Sequence, residues 1–344
     1  MLKISALIAL VSFCALDAMT SSATDIGKPL AKEPKIDATA FLGDRYPIRR
    51  TTFPQGVVGL ADVTYEILPG FRPMTLDVYL ASDRKSLHPL VLYIHGGGWI
   101  SGHSRQSGAF DDFPRVLAGL ASRGYTVASL NYRLSSEAPF PAAIQDVKAA
   151  IKFLRAHGDE YGIDKSKGLV WGGSAGGHLA ALAALTCDVK ELEPVVPAGA
   201  SPEALRVAEQ SDCVQAAVTW YGVLDLSRMP NPTGASGANP TIRQFLNCAD
   251  SCPKKSLEAA SPVSYVTANA PPFLLVHGAA DKTVDPVQST HFRQVMEHAG
   301  ARAELLMIPA VDHSFIGATP EATRDASLLA LRSTFGFIDA AFKP

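Results

Sequence analysis

Short apolar runs alternate with helical periods along most of this chain, and that alternation restricts its fold more than any other feature. Leu90–Ile94, Thr126–Leu130 and Leu169–Trp171 are brief and mostly apolar, as parallel strands covered on both faces require. Between them lie helical periods at Asp112–Ser122, Pro141–His157 and Ala175–Leu185. In the second of these, Ile144, Val147, Ile151 and Leu154 recur at three- and four-residue steps. Ala216–Tyr221, Phe273–Val276 and Ala303–Ile308 read as later strands. Asp285-Pro286 opens a helix reaching about His298, with Asp as N-cap and Pro at the first helical position, and Thr319-Pro320 opens the last helix in the same way. Upstream, Asp62–Leu68 and Thr75–Ala81 alternate in polarity around Pro69-Gly70, the pattern of a hairpin with one buried face. The expectation is an α/β fold: a mainly parallel sheet with an antiparallel N-terminal hairpin and helices on both faces.

The 344 residues show no repeat and no linker that would split this region, so residues 60–344 read as one catalytic domain. Two stretches rich in Pro, Gly, Ala and Asn, near 188–212 and 227–261, read as insertions capping the carboxyl ends of the strands. Residues 24–59 lack a sustained period and read as an N-terminal arm over the surface. Residues 1–23 read as a signal peptide: Lys3, an apolar run from Ile4 to Leu16, then small residues to Ala23. The run is too short for a comfortable membrane span, so the expected location is periplasmic or extracellular. A formal net charge of -2 gives no reason to expect nucleic acid or an anionic membrane as partner.

Export changes how the cysteines read. Of five, Cys14 leaves with the signal, and Cys187, Cys213, Cys248 and Cys252 remain. An even set in an oxidising compartment suggests disulfides, and the favoured pairs are Cys248 with Cys252 and Cys187 with Cys213. A zinc site would want paired C-x-x-C units, which are missing.

The chemistry concentrates in three places. Gly172-Gly173-Ser174-Ala175-Gly176-Gly177 follows an apolar run and precedes a helical one, the strand–turn–helix setting of a nucleophile elbow. Without that setting it would be a glycine-rich turn with an idle serine. His95-Gly96-Gly97-Gly98-Trp99 directly follows the strand Leu90–Ile94, and its glycines can turn backbone N–H groups toward a small oxygen. The expected oxyanion hole is Gly97, Gly98 and Ala175. A phosphate loop is the rival, but no Gly-Lys-Ser/Thr follows and the Gly-x-Gly-x-x-Gly spacing is missing.

A serine hydroxyl needs a base. Of nine histidines, His313 stands just past the strand Ala303–Ile308, on the elbow side of the sheet. His95, His178 and His277 read as structural, and His291 and His298 as surface or packing residues. The acid is expected at Asp281 after the preceding strand, with Asp225 the serious competitor. Asp285 is accounted for as an N-cap, and Asp312 adjoins the histidine too closely to turn back on its ring. The chain order Ser174, Asp281, His313 suits a triad. Trp99, Trp220 and Tyr221 are candidate pocket residues.

With these motifs the chain resembles the α/β-hydrolase carboxylesterases, and within them the bacterial dienelactone-hydrolase-type feruloyl esterases, with kinship to hormone-sensitive-lipase-like esterases. The similarity runs from about Asp62 to the C-terminus. It includes Asn131-Tyr132-Arg133-Leu134, Ala138 to Ala143 with Asp146, Trp220-Tyr221-Gly222 and Ala259-Ala260-Ser261-Pro262. Tyr132, Arg133 and Asp146 read as structural. The hormone-sensitive-lipase type usually has Asp before the nucleophile, where this chain has Gly173, and the wording His277-Gly278-Ala279-Ala280-Asp281 looks like the feruloyl-esterase and oligopeptidase type.

The resemblance implies a secreted serine carboxylesterase that hydrolyses short-chain or aryl esters, of feruloyl or acetyl type, through an acyl-enzyme. Its substrate would be a small-molecule or polysaccharide-linked ester, with neither metal nor organic cofactor. An oligopeptidase is the nearest rival, yet the residues before Asp62 are too few for the propeller such enzymes carry. A strongly apolar lid, as a lipase would need, is not evident. Dienelactone hydrolases use cysteine where Ser174 stands. A non-catalytic binding module of this fold would tend to lack the serine or the histidine.

Overall fold

In this computed structural model the described residues are 49–187, 189–196, 199–231 and 239–342, all within one compact unit, Pro47–Pro344. The expected signal peptide and most of the expected arm lie outside them. Nine strands form one sheet: β1 (Arg49–Thr52), β2 (Val58–Glu66), β3 (Met74–Leu80), β4 (His88–Ile94), β5 (Thr126–Leu130), β6 (Ile163–Gly173), β7 (Ala216–Trp220), β8 (Phe273–Gly278) and β9 (Ala303–Ile308). Their order across the sheet is β1-β2-β3-β5-β4-β6-β7-β8-β9. The first three strands and the β3–β5 pair run antiparallel, and every pair from β5 to β9 is parallel. The last residues of the expected arm are therefore sheet. β1 extends the hairpin edge with four exposed residues, too few and too polar to carry an alternation.

The helices are α1 (Phe113–Ala121), α2 (Ala142–Ala156), α3 (Gly158–Tyr161), α4 (Ala175–Leu185), α5 (Pro202–Ala208), α6 (Pro240–Leu246), α7 (Lys254–Ala259), α8 (Val287–His298) and α9 (Pro320–Phe342). Strand alternation divides the apolar side chains between two cores. Leu90, Leu92 and Ile94 of β4 join Val170, Leu275 and residues of α2, α4 and α8 on one face. Val91 and Tyr93 join Trp171, Val218, Trp220 and residues of α1 and α9 on the other. α8 begins at Val287 with Pro286 at the N-cap, one residue later than expected, and Asp285 Oδ1 just ahead of it accepts from Val287 N at 2.8 Å.

Cys187, Cys213, Cys248 and Cys252 form the two expected disulfides, Cys187–Cys213 and Cys248–Cys252. The placement of the first insertion corrects the expectation of a cap there. Residues 186–213 join the end of α4 to the start of β7, and in a parallel sheet a helix-to-strand connection lies at the amino ends of the strands. Lys152 of α2 donates to Ala208 O and Gln210 O, and Arg155 donates to Ser211 O and Cys213 O. The segment is thus clamped to the trailing end of α2, opposite the site. The second insertion follows the carboxyl end of β7, and its Met229, Thr241 and Ile242 line the cavity described below.

Candidate active site

Ser174 occupies the turn between β6 and α4 with φ 55° and ψ −122°, a backbone strain that a nucleophile elbow stores. The surrounding glycines permit it sterically. A Cβ on Gly176 would stand 2.1 Å from Ile94 O, and one on Gly172 would stand 2.3 Å from Gly176 O. Ser174 N donates to Trp220 O at 2.9 Å, which ties the elbow to the neighbouring strand.

His313 opens the short turn after β9 and lies between the other two candidates. Its Nε2 is 3.0 Å from Ser174 Oγ, and its Nδ1 is 2.8 Å from Asp281 Oδ2. The other carboxylate oxygen of Asp281 accepts from Thr283 N and Val284 N, both at 2.9 Å. Burial opposes the charge on Asp281, but hydrogen bonding from His277, His313 and the Val284 N–H outweighs it and holds the carboxyl well below the usual carboxylate range. The β8 and β9 loops are laced together: Ala280 N donates to Val311 O at 3.0 Å, and Ala279 N donates to Ile308 O at 2.8 Å. A Cβ on Gly278 would stand 2.5 Å from Val311 O, so glycine is what lets the histidine loop approach.

The glycine loop after β4 faces the elbow. Gly97 and Gly98 have φ of 109° and 61°, and among the described residues nothing accepts from their N–H groups. Both line a cavity of ≈ 610 Å³ together with Ser174, Ala175 and His313. Ala175 N, at the first position of α4, has no helical acceptor. Gly97, Gly98 and Ala175 thus bring three backbone N–H groups to the cavity that Ser174 also lines.

The pocket aromatics divide. Trp99 lines the cavity, but its indole turns inward, stacking on Phe245 at 4.5 Å and donating to His178 Nδ1 at 3.2 Å. Tyr221 also lines the cavity, with its ring edge-on to His313 at 4.7 Å. Trp220 does not belong there. It is fully buried, donating to Thr334 Oγ1 of α9 at 2.9 Å. Trp220 is the last residue of β7, whereas Tyr221 follows the strand with φ 38°, and of the two only Tyr221 lines the cavity. Further lining comes from Tyr93, Gln106, Ser107, Met229, Thr241 and Ile242. These had no motif to reveal them, though the Gly- and Ser-rich loop after β4 and the second insertion were the places to look.

The competing groups are accounted for elsewhere. Asp225 accepts from Ser227 N, Ser227 Oγ and Arg228 Nε, and contributes nothing to His313. Asp312 accepts from Lys282 N and His313 N and so fixes the loop. His95 Nδ1 lies 2.7 Å from Gly96 O, and its ring stacks on Tyr132. His178 Nε2 donates to Ala260 O at 2.7 Å. Arg133 pairs with buried Asp146. His291 and His298 lie on α8, where His291 Nε2 is 3.9 Å from Asp225 Oδ2.

The profile of the BD-FAE family matches residues 76–296. Esterase LipQ of Mycobacterium tuberculosis is 34% identical over 74% of this chain and 57% of its own length. The chain spans about half the length of the curated relatives it matches first. A truncated carbohydrate esterase from gut microbiota superposes with a TM-score of 0.67 at 25% identity, covering 82% of this chain and 95% of that one. Esterase 2 of Thermogutta terrifontis, with propionate bound, gives 0.63 at 26%, covering 82% and 95%. The fold is the α/β-hydrolase fold.

Proposed function

This chain belongs to the BD-FAE family, and from that membership and the site geometry we propose that it is a serine carboxylic ester hydrolase. The observation that carries the reading is His313 bridging Ser174 at 3.0 Å and Asp281 at 2.8 Å beside three unpaired backbone N–H groups. Ser174 Oγ attacks the ester carbonyl while His313 Nε2 takes its proton. The oxyanion forms against the N–H groups of Gly97, Gly98 and Ala175, each worth about 3 kcal/mol in the transition state. His313 then returns the proton to the leaving alcohol. Water, activated by the same nitrogen, releases the acid and restores the serine. Asp281 holds the Nδ1–H tautomer and stabilises the imidazolium.

The substrates we assign are short-chain or aryl esters of acetyl or feruloyl type, free or carried on a polysaccharide. Support comes from a cavity of ≈ 610 Å³ that combines apolar walls (Trp99, Val223, Met229, Ile242) with polar ones (Tyr93, Gln106, Ser107). That volume suits an aromatic acyl group better than a long alkyl chain. Export fits two disulfides, and among the described residues no helix is long and apolar enough to cross a membrane.

The test is hydrolysis of p-nitrophenyl acetate, butyrate and palmitate, methyl ferulate, acetylated xylan and a prolyl peptide, by wild type and Ser174→Ala. The expected result is turnover of acetyl and feruloyl esters, lowered at least about 10⁴-fold by the substitution. Cleavage of the peptide but of no ester would replace this reading with a peptidase, and full activity in Ser174→Ala would remove the nucleophile.

A further inference from the structure

The acid of the proposed triad has a second imidazole on its far side. His277, the fifth residue of β8, is completely buried and takes no part in the chemistry above. Its Nε2 lies 2.9 Å from Val284 O and 3.2 Å from Asp281 Oδ2, so one ring nitrogen faces two acceptors and must carry the hydrogen. Its Nδ1 lies 2.7 Å from Ser289 Oγ of α8, a hydroxyl that can donate to the remaining lone pair. Val284 in turn donates its own N–H to Asp281 Oδ1. His277 thus grips both the carbonyl of the turn that presents Asp281 and the oxygen of Asp281 that receives His313.

We propose that His277, held at its other ring nitrogen by Ser289, is a positioning residue that orients Asp281 and moderates its pull on His313. The proposal rests on the triad reading of Ser174, Asp281 and His313. The arrangement is a serine–histidine pair on each side of one carboxylate, the inner pair structural and the outer pair reactive. Both imidazoles draw on the same oxygen. The donor at His277 withdraws negative charge that would otherwise stabilise the His313 imidazolium, and it favours the ionised carboxylate. Other groups facing this point are Lys282 and Asp312, whose carboxylate is occupied by two backbone N–H groups, and the Tyr221 ring against His313. Among the described residues none of these touches the far side of Asp281.

The experiment compares wild type with His277→Leu, His277→Gln, Ser289→Ala and Ser174→Ala, on the best ester found above. It measures kcat, KM, the pH dependence of kcat/KM, and melting to confirm folding. His277→Leu is expected to lose about ten- to a hundredfold in kcat with KM nearly unchanged, because the carboxylate turn is no longer held. Its acidic limb should move to higher pH, since an unshared Asp281 charge makes His313 more basic. His277→Gln, which restores an amide donor, should recover part of both effects. Ser289→Ala keeps the ring and its Nε2 donor, removes the bond that fixes the other nitrogen, and should shift in the same direction by less. Any folded variant of His277, or Ser289→Ala, with wild-type kcat and an unmoved acidic limb overturns the proposal. A general loss of stability with the limb in place assigns His277 to packing and overturns it equally. Inactive Ser174→Ala beside an unaffected His277→Leu would sink this inference alone, whereas active Ser174→Ala would sink the triad beneath it.

Discussion

Asp281 collects more of the site's polar contacts than either Ser174 or His313. Its two oxygens are engaged by Thr283 N, Val284 N and His313 Nδ1, with His277 adjacent. Asp281→Asn keeps the size but offers an amide N–H where an acceptor is needed, so His313 loses the partner that sets its tautomer. The expected cost is about 10⁴-fold in kcat, measured on any ester that wild type turns over. The sign of its pH effect also follows. A carboxyl held below its ordinary value of 3.8 contributes stability that is fully present above that pH and is lost as pH falls further below it. Melting of wild type relative to Asp281→Asn should therefore worsen only below about pH 4; a difference in pH dependence centred near neutrality would contradict the assignment.

At the scale of elements, the same turn chemistry serves the two ends of the sheet differently. Strand-to-helix connections at the carboxyl ends carry Gly97, Ser174, Asp281 and His313, and the helix-to-strand connection between α4 and β7 carries the Cys187–Cys213 disulfide. Lys148 of α2 is buried there between Thr186 O, Glu193 and Asp212, next to the clamps made by Lys152 and Arg155. The disulfide, spanning a sequence separation of 26, restricts the unfolded chain enough to add about 3–4 kcal/mol. Replacing both cysteines by serine should lower the urea unfolding free energy by about that much while kcat/KM stays at wild-type level. Lost activity in a folded Cys187→Ser/Cys213→Ser protein would show that this end communicates with the site.

Across the whole molecule, His178 joins three segments: α4, the glycine loop through Trp99 Nε1, and the second insertion through Ala260 O. Burial lowers it from 6.5 to about 4, partly offset by the bond to Ala260, so it stays neutral in the folded protein. The unfolded imidazole takes up a proton as pH falls below 6.5, so this contribution is full above that pH and is lost progressively down to about 4. Half-buried Glu66, pushed up to about 7 by burial and then by Asp146, works in the opposite sense over much of the same range. The comparison must therefore isolate the histidine. Relative to His178→Gln, wild type should lose on the order of 3 kcal/mol of stability between pH 6.5 and 4, read from urea unfolding at several pH values. A constant difference would mean that His178 protonates without unfolding its three contacts.

The local sequence determined strands β2 to β9, the helices α1, α2, α4, α8 and α9, the elbow and the glycine loop, because each depends on periodicity, steric permission or a capping side chain within a few residues; the four-residue β1 and the short helices of the insertions carry too little pattern to read. The parallel order also placed Ser174, Asp281 and His313 at one edge, since every strand-to-helix loop emerges there. What only the tertiary structure decided were relations between distant segments. Trp220 and Tyr221 are adjacent in sequence and both pack on Phe315, yet Trp220, ending β7, donates to α9, and Tyr221, just past the strand, lies edge-on to His313. The stretch between α4 and β7 has the composition of a cap but follows a helix, and its described residues 208–213 are bound by Lys152 and Arg155 of α2. His277 lies in an apolar strand like any packing residue, and only the fold of the 281–284 turn brings Asp281 and Val284 back onto its ring. Periodicity in a sequence records which face a residue occupies; the group that meets it there is set by how the chain returns.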